Sequence, residues 1–203
     1  MRVNTIINLA LLLLFCSFNG NNNPPVSVIG NTISDFSLAN TNGQFTSLSD
    51  YKKAKGFIIV FTCNHCPFAK LYPKRLIALS NSYQPLGIPL IAINSMDTIS
   101  YEEETPYEML RKAKVEKFNF AYLSDASQKV GKAFGAIRTP QVFVLWKENN
   151  KWVIKYSGAI DDNGQHPEKA TPFVRNAVEE LLRNKAVSTP ETPSIGCRIA
   201  YSY

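Results

Sequence analysis

Continuous apolar runs and alternating stretches divide the chain into predicted strands. Residues 57–61 and 90–93 are wholly apolar and rich in β-branched side chains, which is typical of parallel strands buried on both faces. Residues 33–38 alternate apolar and polar positions, as a half-buried strand does. The turn cluster at residues 40–43 predicts a hairpin that returns over residues 44–48.

Segments with helical periodicity lie between these strands. Residues 63–83 carry apolar side chains at helical spacing, which predicts a helix that opens at Cys63 and is kinked at Pro73. Thr105 and Pro106 have the character of an N-cap and of a proline at the first helical position. Further helices are predicted over residues 105–115, 124–134 and 171–182.

The C-terminal half completes a mixed sheet. Residues 141–146 are strongly strand-like, and Asn149-Asn150 turns them into residues 152–156 as an antiparallel hairpin. Strands and helices therefore follow one another as in an open α/β sheet. We expect one domain over residues 31–185, with a central mixed β-sheet flanked by helices, followed by an extended tail over residues 186–203.

The first residues have a composition of their own. Arg2 precedes an apolar run from Ile6 to Phe18, which is shorter than the roughly 20 residues needed to span a bilayer. This pattern predicts a signal peptide over residues 1–20, a flexible tether over residues 21–30, and a periplasmic or cell-envelope location. Leu13-Leu14-Phe15-Cys16 resembles a lipoprotein box. The alternatives are therefore lipidation and an uncleaved anchor, either of which would tether the protein to a membrane.

The charge of the chain is modest and scattered. The net charge is +6, and the sequence has no stripe of basic residues interleaved with aromatic residues, so a nucleic-acid partner is not expected. After removal of the leader the cysteines are Cys63, Cys66 and Cys197. Because this number is odd, at least one thiol is free, reactive or paired transiently.

The sequence Cys63-Asn64-His65-Cys66 directly follows a predicted buried strand and opens a predicted helix. The backbone N–H groups and the positive end of the helix dipole are expected to lower the pKa of Cys63 from about 8.5 to roughly 3.5–7.5. Cys66, one turn later, is placed to attack a mixed disulfide formed at Cys63, and a protonated His65 would stabilise the thiolate. A structural disulfide and half of a zinc site are the alternative interpretations.

A second motif, Arg138-Thr139-Pro140, precedes the predicted strand at residues 141–146. A proline at the start of a central strand removes a hydrogen bond from the ladder. We therefore expect a cis bond between Thr139 and Pro140, which would leave the Thr139 backbone beside Cys63 available to a substrate strand. A trans proline at a strand start is the alternative. Arg138 is interpreted either as a residue that steers an anionic substrate or as a surface residue.

Together these motifs resemble the thioredoxin fold. Residues 61–68 around the CxxC motif, residues 160–163 and residues 195–197 are more narrowly similar to the redoxin branch of peroxiredoxin-like thioredoxin-family proteins. The resemblance extends over about residues 30–203. It implies three roles: Cys63 as the nucleophile, Cys66 as the resolving thiol and Pro140 as the cis proline.

The sequence departs from the motifs of both peroxiredoxins and thioredoxins. Peroxiredoxins carry Pro-x-x-x-Thr/Ser-x-x-Cys, whereas Val60 stands three residues before Cys63 and no proline precedes it at the required distance. Thioredoxins keep a buried acid on the strand before the motif and a Trp beside the first cysteine. Residues 57–61 contain no acid, and Thr62 replaces the Trp. Proton transfer at Cys66 is therefore expected to use another group.

These residues predict a thiol–disulfide oxidoreductase that acts outside the cytoplasm on protein or small-molecule thiols and disulfides, without a metal or other cofactor. Its electron donor or acceptor would be of the same thiol–disulfide type. Two alternatives stay open: a thiol peroxidase of peroxiredoxin-like type, and a copper- or metal-binding protein that uses Cys63, Cys66 and His166. Cys197 is a candidate additional redox thiol, and residues 161–164 are interpreted first as a turn.

Overall fold

The computed structural model describes residues 27–202. Within this range the chain forms strands and α-helices around one central sheet. The strands are β1 Thr32–Ile33, β2 Ser37–Asn40, β3 Phe45–Ser47, β4 Gly56–Phe61, β5 Leu90–Asn94, β6 Ala121–Ser124, β7 Arg138–Thr139, β8 Gln141–Glu148, β9 Lys151–Gly158 and β10 Cys197–Arg198. The helices are α1 Pro73–Tyr83, α2 Pro106–Val115, α3 Lys129–Phe134 and α4 Phe173–Leu182.

The large sheet is mixed, as the sequence predicts, with the order β1-β9-β8-β4-β5-β6-β2-β3. Strand β4 lies at its centre, where it pairs in parallel with β5 and antiparallel with β8. Every residue of β4 is buried, because helices and loops cover both faces of the sheet. This arrangement confirms the α/β class and the thioredoxin-like fold.

The side chains of β4 divide between two apolar cores because successive residues of a strand point to opposite faces. Phe57, Ile59 and Phe61 belong to the core that α3 closes with Phe134. Ile58 and Val60 belong to the opposite core, which α1 and α4 cover. The continuous apolar run therefore reflects burial on both sides, and it fixes the point at which the CxxC segment leaves the sheet.

Two local predictions are confirmed by backbone geometry. Asn149 and Asn150 take positive φ values of 48° and 62° in the turn between β8 and β9, a conformation that asparagine tolerates better than most residues. Thr105 is the N-cap of α2, since its side chain accepts a hydrogen bond from the backbone N–H of Glu108. Pro106 occupies the first turn of that helix, where no N–H is needed.

The prediction of a helix opening at Cys63 is wrong. Helix α1 begins at Pro73, after a short 3-10 turn over Ala69–Leu71. Pro73 does not kink the helix but starts it, because the missing N–H costs nothing at the first helical position. Similarly, α3 begins at Lys129 rather than near residue 124. The Asp125 carboxylate accepts hydrogen bonds from the backbone N–H groups of Val130 and Gly131, in the first turn of α3. Asp125 therefore lies before the helix and not within it.

The segment after residue 185, predicted as an extended tail, packs against the domain. Strand β10 pairs antiparallel with β7, so that Cys197 lies opposite Thr139. Beyond it, the backbone N–H of Ile199 donates to the carbonyl of Ile137 at 3.0 Å, and the Tyr201 hydroxyl donates to the carbonyl of Ala136 at 2.6 Å. The last residues therefore form part of the folded unit.

The predicted signal peptide over residues 1–20 and most of the predicted tether over residues 21–30 lie outside the described residues. In the part of the chain that the structure does describe, no helix has both the length and the hydrophobicity to cross a membrane.

Candidate active site

The cysteines of the CxxC motif lie in the loop that follows β4, and both are fully buried. The Thr139-Pro140 bond is cis, as predicted, and it places Thr139 directly against the pair. The Cys63 Sγ atom lies 3.0 Å from the Thr139 hydroxyl oxygen, and the Cys66 thiol donates to the Thr139 carbonyl at 3.2 Å. Two segments more than seventy residues apart are thus joined into one site.

The two thiols titrate as a coupled pair because they share a hydrogen bond. That bond lowers the pKa of Cys66, with further help from the side chain of Cys197 and the backbone N–H groups of Ala69 and Cys197, against the opposing effect of burial. The same shared bond raises the pKa of Cys63, and burial and the negative charge of Glu104 raise it further. The first proton therefore leaves the pair readily, whereas the second is held strongly.

The predicted lowering of the Cys63 pKa is therefore wrong, because the pKa of Cys63 is raised and it is the pKa of Cys66 that is lowered. No helix begins at this residue, so the positive end of a helix dipole does not act on it. The acidity of the dithiol comes instead from the hydrogen bond between the two sulfurs and from the backbone donors around Cys66. A hydrogen bond to the charged form of a group favours that form.

A buried carboxylate, Glu104, holds the CxxC loop in place. Its side chain is fully buried and accepts hydrogen bonds from the backbone N–H groups of Asn64 and His65, each at 2.9 Å. It also accepts from Nδ2 of Asn94 at 2.6 Å, while Nδ1 of His65 lies 2.6 Å away. This acid comes from the segment before α2 and not from β4, where thioredoxins carry theirs.

Sequence reasoning missed Glu104 because its local context is that of a surface. It ends the run Glu102-Glu103-Glu104, of which the first two side chains are exposed. A run of acidic residues is usually a solvated face. One feature of the sequence does point to Glu104: it stands immediately before the N-cap Thr105 and Pro106. Such a helix start restricts the backbone and can direct one side chain of the acidic run toward the protein interior.

His65 is paired with this carboxylate rather than free to face the thiols. The Nδ1–Oε1 contact is accompanied by stacking of the imidazole on Tyr101, with ring centroids 4.2 Å apart and an interplanar angle of 2°. Candidate ligand atoms of Cys63, His65 and Glu104 all lie within 4.8 Å of one another. A positive charge on His65 would therefore be balanced first by Glu104 and would reach the sulfurs only in part.

The proposed metal-ligand set of Cys63, Cys66 and His166 is not formed. His166 lies on an exposed segment with its Nδ1 3.5 Å from a carboxylate oxygen of Glu168. Among residues 27–202, the potential metal ligands that cluster with Cys63 are His65 and Glu104, and His166 is not among them. Both oxygens of the Glu104 carboxylate accept hydrogen bonds from N–H groups of the protein. These bonds give Glu104 the role of orienting the loop.

Thr139 is predicted to pair with a substrate strand, and Arg138 either to steer an anionic substrate or to be a surface residue, but the chain's own C-terminal segment occupies this edge. Thr139 is buried beneath β10, and Nη1 of Arg138 donates to the carbonyl of Gly196 at 2.9 Å. In this state both residues bind the segment that carries Cys197. A substrate strand would have to displace β10 in order to pair with Thr139.

Cys197 lies at the outer side of the CxxC pair. Its backbone N–H donates to the Cys66 Sγ atom at 3.4 Å, and its side chain is also hydrogen-bonded to Cys66. Burial raises the pKa of the Cys197 thiol, and the hydrogen bond with Cys66 and the charge of that thiolate raise it further. Unlike the other two cysteines, Cys197 is partly exposed.

The predicted turn at residues 161–164 has a structural role beside the site. Arg75 binds Asp161 through Nη1 and also contacts the backbone carbonyl of Gly164. The Tyr72 hydroxyl donates to Asp161 at 3.1 Å. The turn forms one wall of a cavity of about 380 Å³ with mostly apolar lining, to which Pro140 also contributes.

Comparison with known proteins agrees with this architecture. Residues 29–162, more than half of the chain, match the family described as AhpC/TSA. The chain belongs to the AhpC/TSA family. It is a thioredoxin-like redoxin, and its family supports a redox enzyme that acts on thiols. No curated protein matches it.

Solved structures resemble this AhpC/TSA protein over most of its length. A hypothetical protein from Sinorhizobium meliloti 1021 is 32% identical, with a TM-score of 0.79 over 87% of this chain and 96% of that one. Peroxidoxin BcpB from Mycobacterium tuberculosis is 18% identical, with a TM-score of 0.52 over 64% and 83%. A putative thiol:disulfide interchange protein DsbE from Chlorobium tepidum is 18% identical, with a TM-score of 0.51 over 62% and 82%. The last two likenesses show the fold.

Replacing Glu104 by glutamine should destabilise the protein by about 2–4 kcal/mol, because one amide oxygen replaces a carboxylate that satisfies several buried donors. The measurement is equilibrium unfolding in urea. Glu103→Gln is the matched control, since the same charge is removed from an exposed side chain, and it should change the unfolding free energy by less than about 0.5 kcal/mol. Equal effects of the two changes would contradict the role assigned to Glu104.

The coupled thiols predict a two-step titration, followed by thiolate absorbance near 240 nm. One thiolate should form well below the ordinary cysteine pKa of about 8.5, and the second should form only in strongly alkaline solution. In Cys63→Ala or Cys66→Ala the remaining thiol loses its sulfur partner, so the low-pH step should move upward. Cys197→Ala should keep a low-pH step, because the Cys63–Cys66 bond is intact. A low-pH step that persists unchanged in both CxxC variants would contradict the shared bond.

Proposed function

We propose that this protein is a thiol–disulfide oxidoreductase whose redox pair is Cys63 and Cys66. The observation that carries the proposal is the contact of both sulfurs with Thr139 next to a cis proline, together with the hydrogen bond that they share. Membership of the AhpC/TSA family and the thioredoxin-like fold support redox chemistry on thiols.

The chemistry requires one mixed disulfide. Once Cys66 has lost its proton to solvent, Cys63 passes its own proton to the Cys66 thiolate and attacks a sulfur of the substrate disulfide, which releases one substrate thiolate. Cys66 then attacks Cys63, so that the Cys63–Cys66 bond forms and the second substrate thiolate leaves. The dithiol loses two electrons, the substrate gains them, and the leaving thiolates take up the protons. Protein and small-molecule disulfides both satisfy this scheme.

The elements around the pair have supporting roles in this proposal. Glu104 fixes the loop through the Asn64 and His65 backbone, and the His65 imidazole contacts the Glu104 carboxylate through Nδ1 at 2.6 Å. Pro140 directs the Thr139 hydroxyl and carbonyl at the pair. No metal or other cofactor is needed for the exchange.

The test is reduction of a protein disulfide, such as that of insulin, with dithiothreitol as electron source. Cys63→Ser and Cys66→Ser should each lower the rate to that of dithiothreitol alone, because neither can form the Cys63–Cys66 disulfide. His166→Ala is the control and should keep full activity, since its side chain is exposed and lies outside the site. Full activity in either cysteine variant would exclude the proposed pair.

The same preparations separate this activity from peroxide reduction. The sequence lacks a threonine or serine and a proline at the distances at which peroxiredoxins place them before their cysteine, so consumption of hydrogen peroxide should be slow compared with disulfide reduction. Faster turnover with peroxide than with insulin would favour a thiol peroxidase.

We further propose that the protein acts outside the cytoplasm, in the periplasm or cell envelope. The support is the apolar run from Ile6 to Phe18 with Arg2 before it. Fusion of residues 1–30 to a reporter that works only after export should give active reporter. Deletion of residues 6–18 from the fusion should abolish that activity. An active cytoplasmic reporter on the same segment would contradict export.

A further inference from the structure

We propose that Cys197 is a third redox thiol, which receives the disulfide from Cys63 by exchange at Cys66 and presents it to the external electron donor. This inference rests on the proposed function of the Cys63–Cys66 pair. It assigns to the C-terminal segment the task of connecting a buried redox pair to a thiol partner in solution.

The first support is that the segment carrying Cys197 is held in register on the site. Cys197 lies opposite Thr139 and Arg198 opposite Arg138 in the β10–β7 pair. Ile199 is buried, and Nε2 of Gln128 donates to the carbonyl of Ala200 at 2.8 Å. Because Nη1 of Arg138 also donates to the carbonyl of Gly196, the segment is anchored on both sides of Cys197, which fixes its position relative to the pair.

The second support is the close approach of Gly196 to the backbone at Thr139-Pro140. A Cβ atom at Gly196 would lie 2.0 Å from the Thr139 carbonyl oxygen, a distance that no side chain can occupy. The glycine before Cys197 therefore allows the segment to lie directly on the residues that contact Cys63 and Cys66. The position of Cys197 follows from this backbone contact.

The third support is the position of Cys66 between the other two thiols. Its Sγ atom accepts a hydrogen bond from the backbone N–H of Cys197 at 3.4 Å and lies 3.2 Å from the carbonyl of Thr139, the residue whose hydroxyl contacts Cys63 and whose backbone pairs with Cys197. A sulfur with a thiol partner on each side can form either of two disulfides without a large movement of the chain. Cys66 is thus the common member of a Cys63–Cys66 and a Cys66–Cys197 bond.

The exchange step conserves electrons. The Cys197 thiolate attacks Sγ of Cys66, the Cys66–Cys197 bond forms, and the Cys63–Cys66 bond breaks. Cys63 leaves as a thiolate and takes up a proton, while Cys197 has given one to solvent. In the reduced protein the Cys66 thiolate helps to raise the pKa of Cys197. That contribution disappears once Cys66 is part of a disulfide, so oxidation of the pair makes Cys197 a better nucleophile.

The three cysteines differ in solvent accessibility, and this difference explains what the exchange would achieve. Cys63 and Cys66 are fully buried, whereas Cys197 is partly exposed. An external dithiol could attack Cys197 in a Cys66–Cys197 disulfide with less rearrangement than it needs to reach Cys63 or Cys66. Its first thiolate would attack Cys197, form a mixed disulfide and release Cys66 as a thiolate. Its second thiolate would then attack the donor sulfur of that mixed disulfide, which forms the disulfide of the donor and releases Cys197 as a thiolate; the released thiolates take up the protons that the donor gave up.

The experiment maps disulfides in the full chain after oxidation with one equivalent of diamide, acid quenching, alkylation and tryptic digestion without reduction. Cys63 and Cys66 share the tryptic peptide 56–70, and Cys197 lies in peptide 186–198. A Cys63–Cys66 bond therefore stays within one peptide, whereas a bond to Cys197 links two peptides. A link to Cys16 would involve peptide 3–52 and is recognised separately.

The proposal expects linked peptides 56–70 and 186–198 in the wild-type chain. Cys63→Ser should increase the linked form, because Cys66 then has only Cys197 as a partner. Cys66→Ser should lose it, although Cys63 and Cys197 are both present, and Cys197→Ser is the matched negative control. A missing link in Cys63→Ser, or an equal link in Cys66→Ser, would overturn the proposal.

Insulin reduction by the same proteins separates this inference from the proposed function. If the wild-type chain reduces insulin but Cys63→Ser forms no linked peptides, the redox pair stands and the role of Cys197 is wrong. If the linked peptides form but neither disulfide supports insulin reduction, the thiols exchange among themselves and the proposed function is wrong. Correct folding of each variant is checked by its urea unfolding curve.

Discussion

Three cysteine residues from two distant parts of the chain meet at Thr139. Its hydroxyl contacts Cys63, its carbonyl accepts a hydrogen bond from Cys66, and its backbone pairs with that of Cys197. The site depends on this one residue being held at the end of a two-residue strand, next to the start of the long strand β8. Since β8 pairs with β4 along six positions, the central sheet fixes Thr139 relative to the loop that carries the CxxC motif.

Glu104 supplies the second constraint. A buried carboxylate is tolerated only when donors surround it, and here the donors are backbone N–H groups of the CxxC loop and the side chain of Asn94. The loop keeps its shape without a helix beneath it, because the backbone N–H groups of Asn64 and His65 are bound by a side chain from another part of the chain. The negative charge of Glu104 also opposes ionisation of Cys63. The side chain that orders the loop therefore also helps to raise the pKa of the Cys63 thiol.

The closed state of the site distinguishes this chain from the arrangement expected of a thioredoxin-like protein. The backbone edge beside the cis proline is occupied by β10, and both CxxC sulfurs are buried. The C-terminal segment therefore occupies the place where a substrate strand was expected. Function at this site requires either movement of that segment or participation of the thiol that it carries.

The buried strands, the CxxC motif and the cis proline could be predicted from the sequence, because each depends on a local pattern: apolar runs for β4 and β5, the spacing of Cys63 and Cys66, and a proline at the start of β8. The start of α1 at Pro73 could not, because the loop after Cys63 is held by Glu104 from a distant part of the chain. The tertiary structure also decided that Glu104 is buried and that Cys197 lies on Cys66. These contacts join residues about 40 and 131 positions apart, and a side chain's partners at such separations depend on packing that local sequence does not encode.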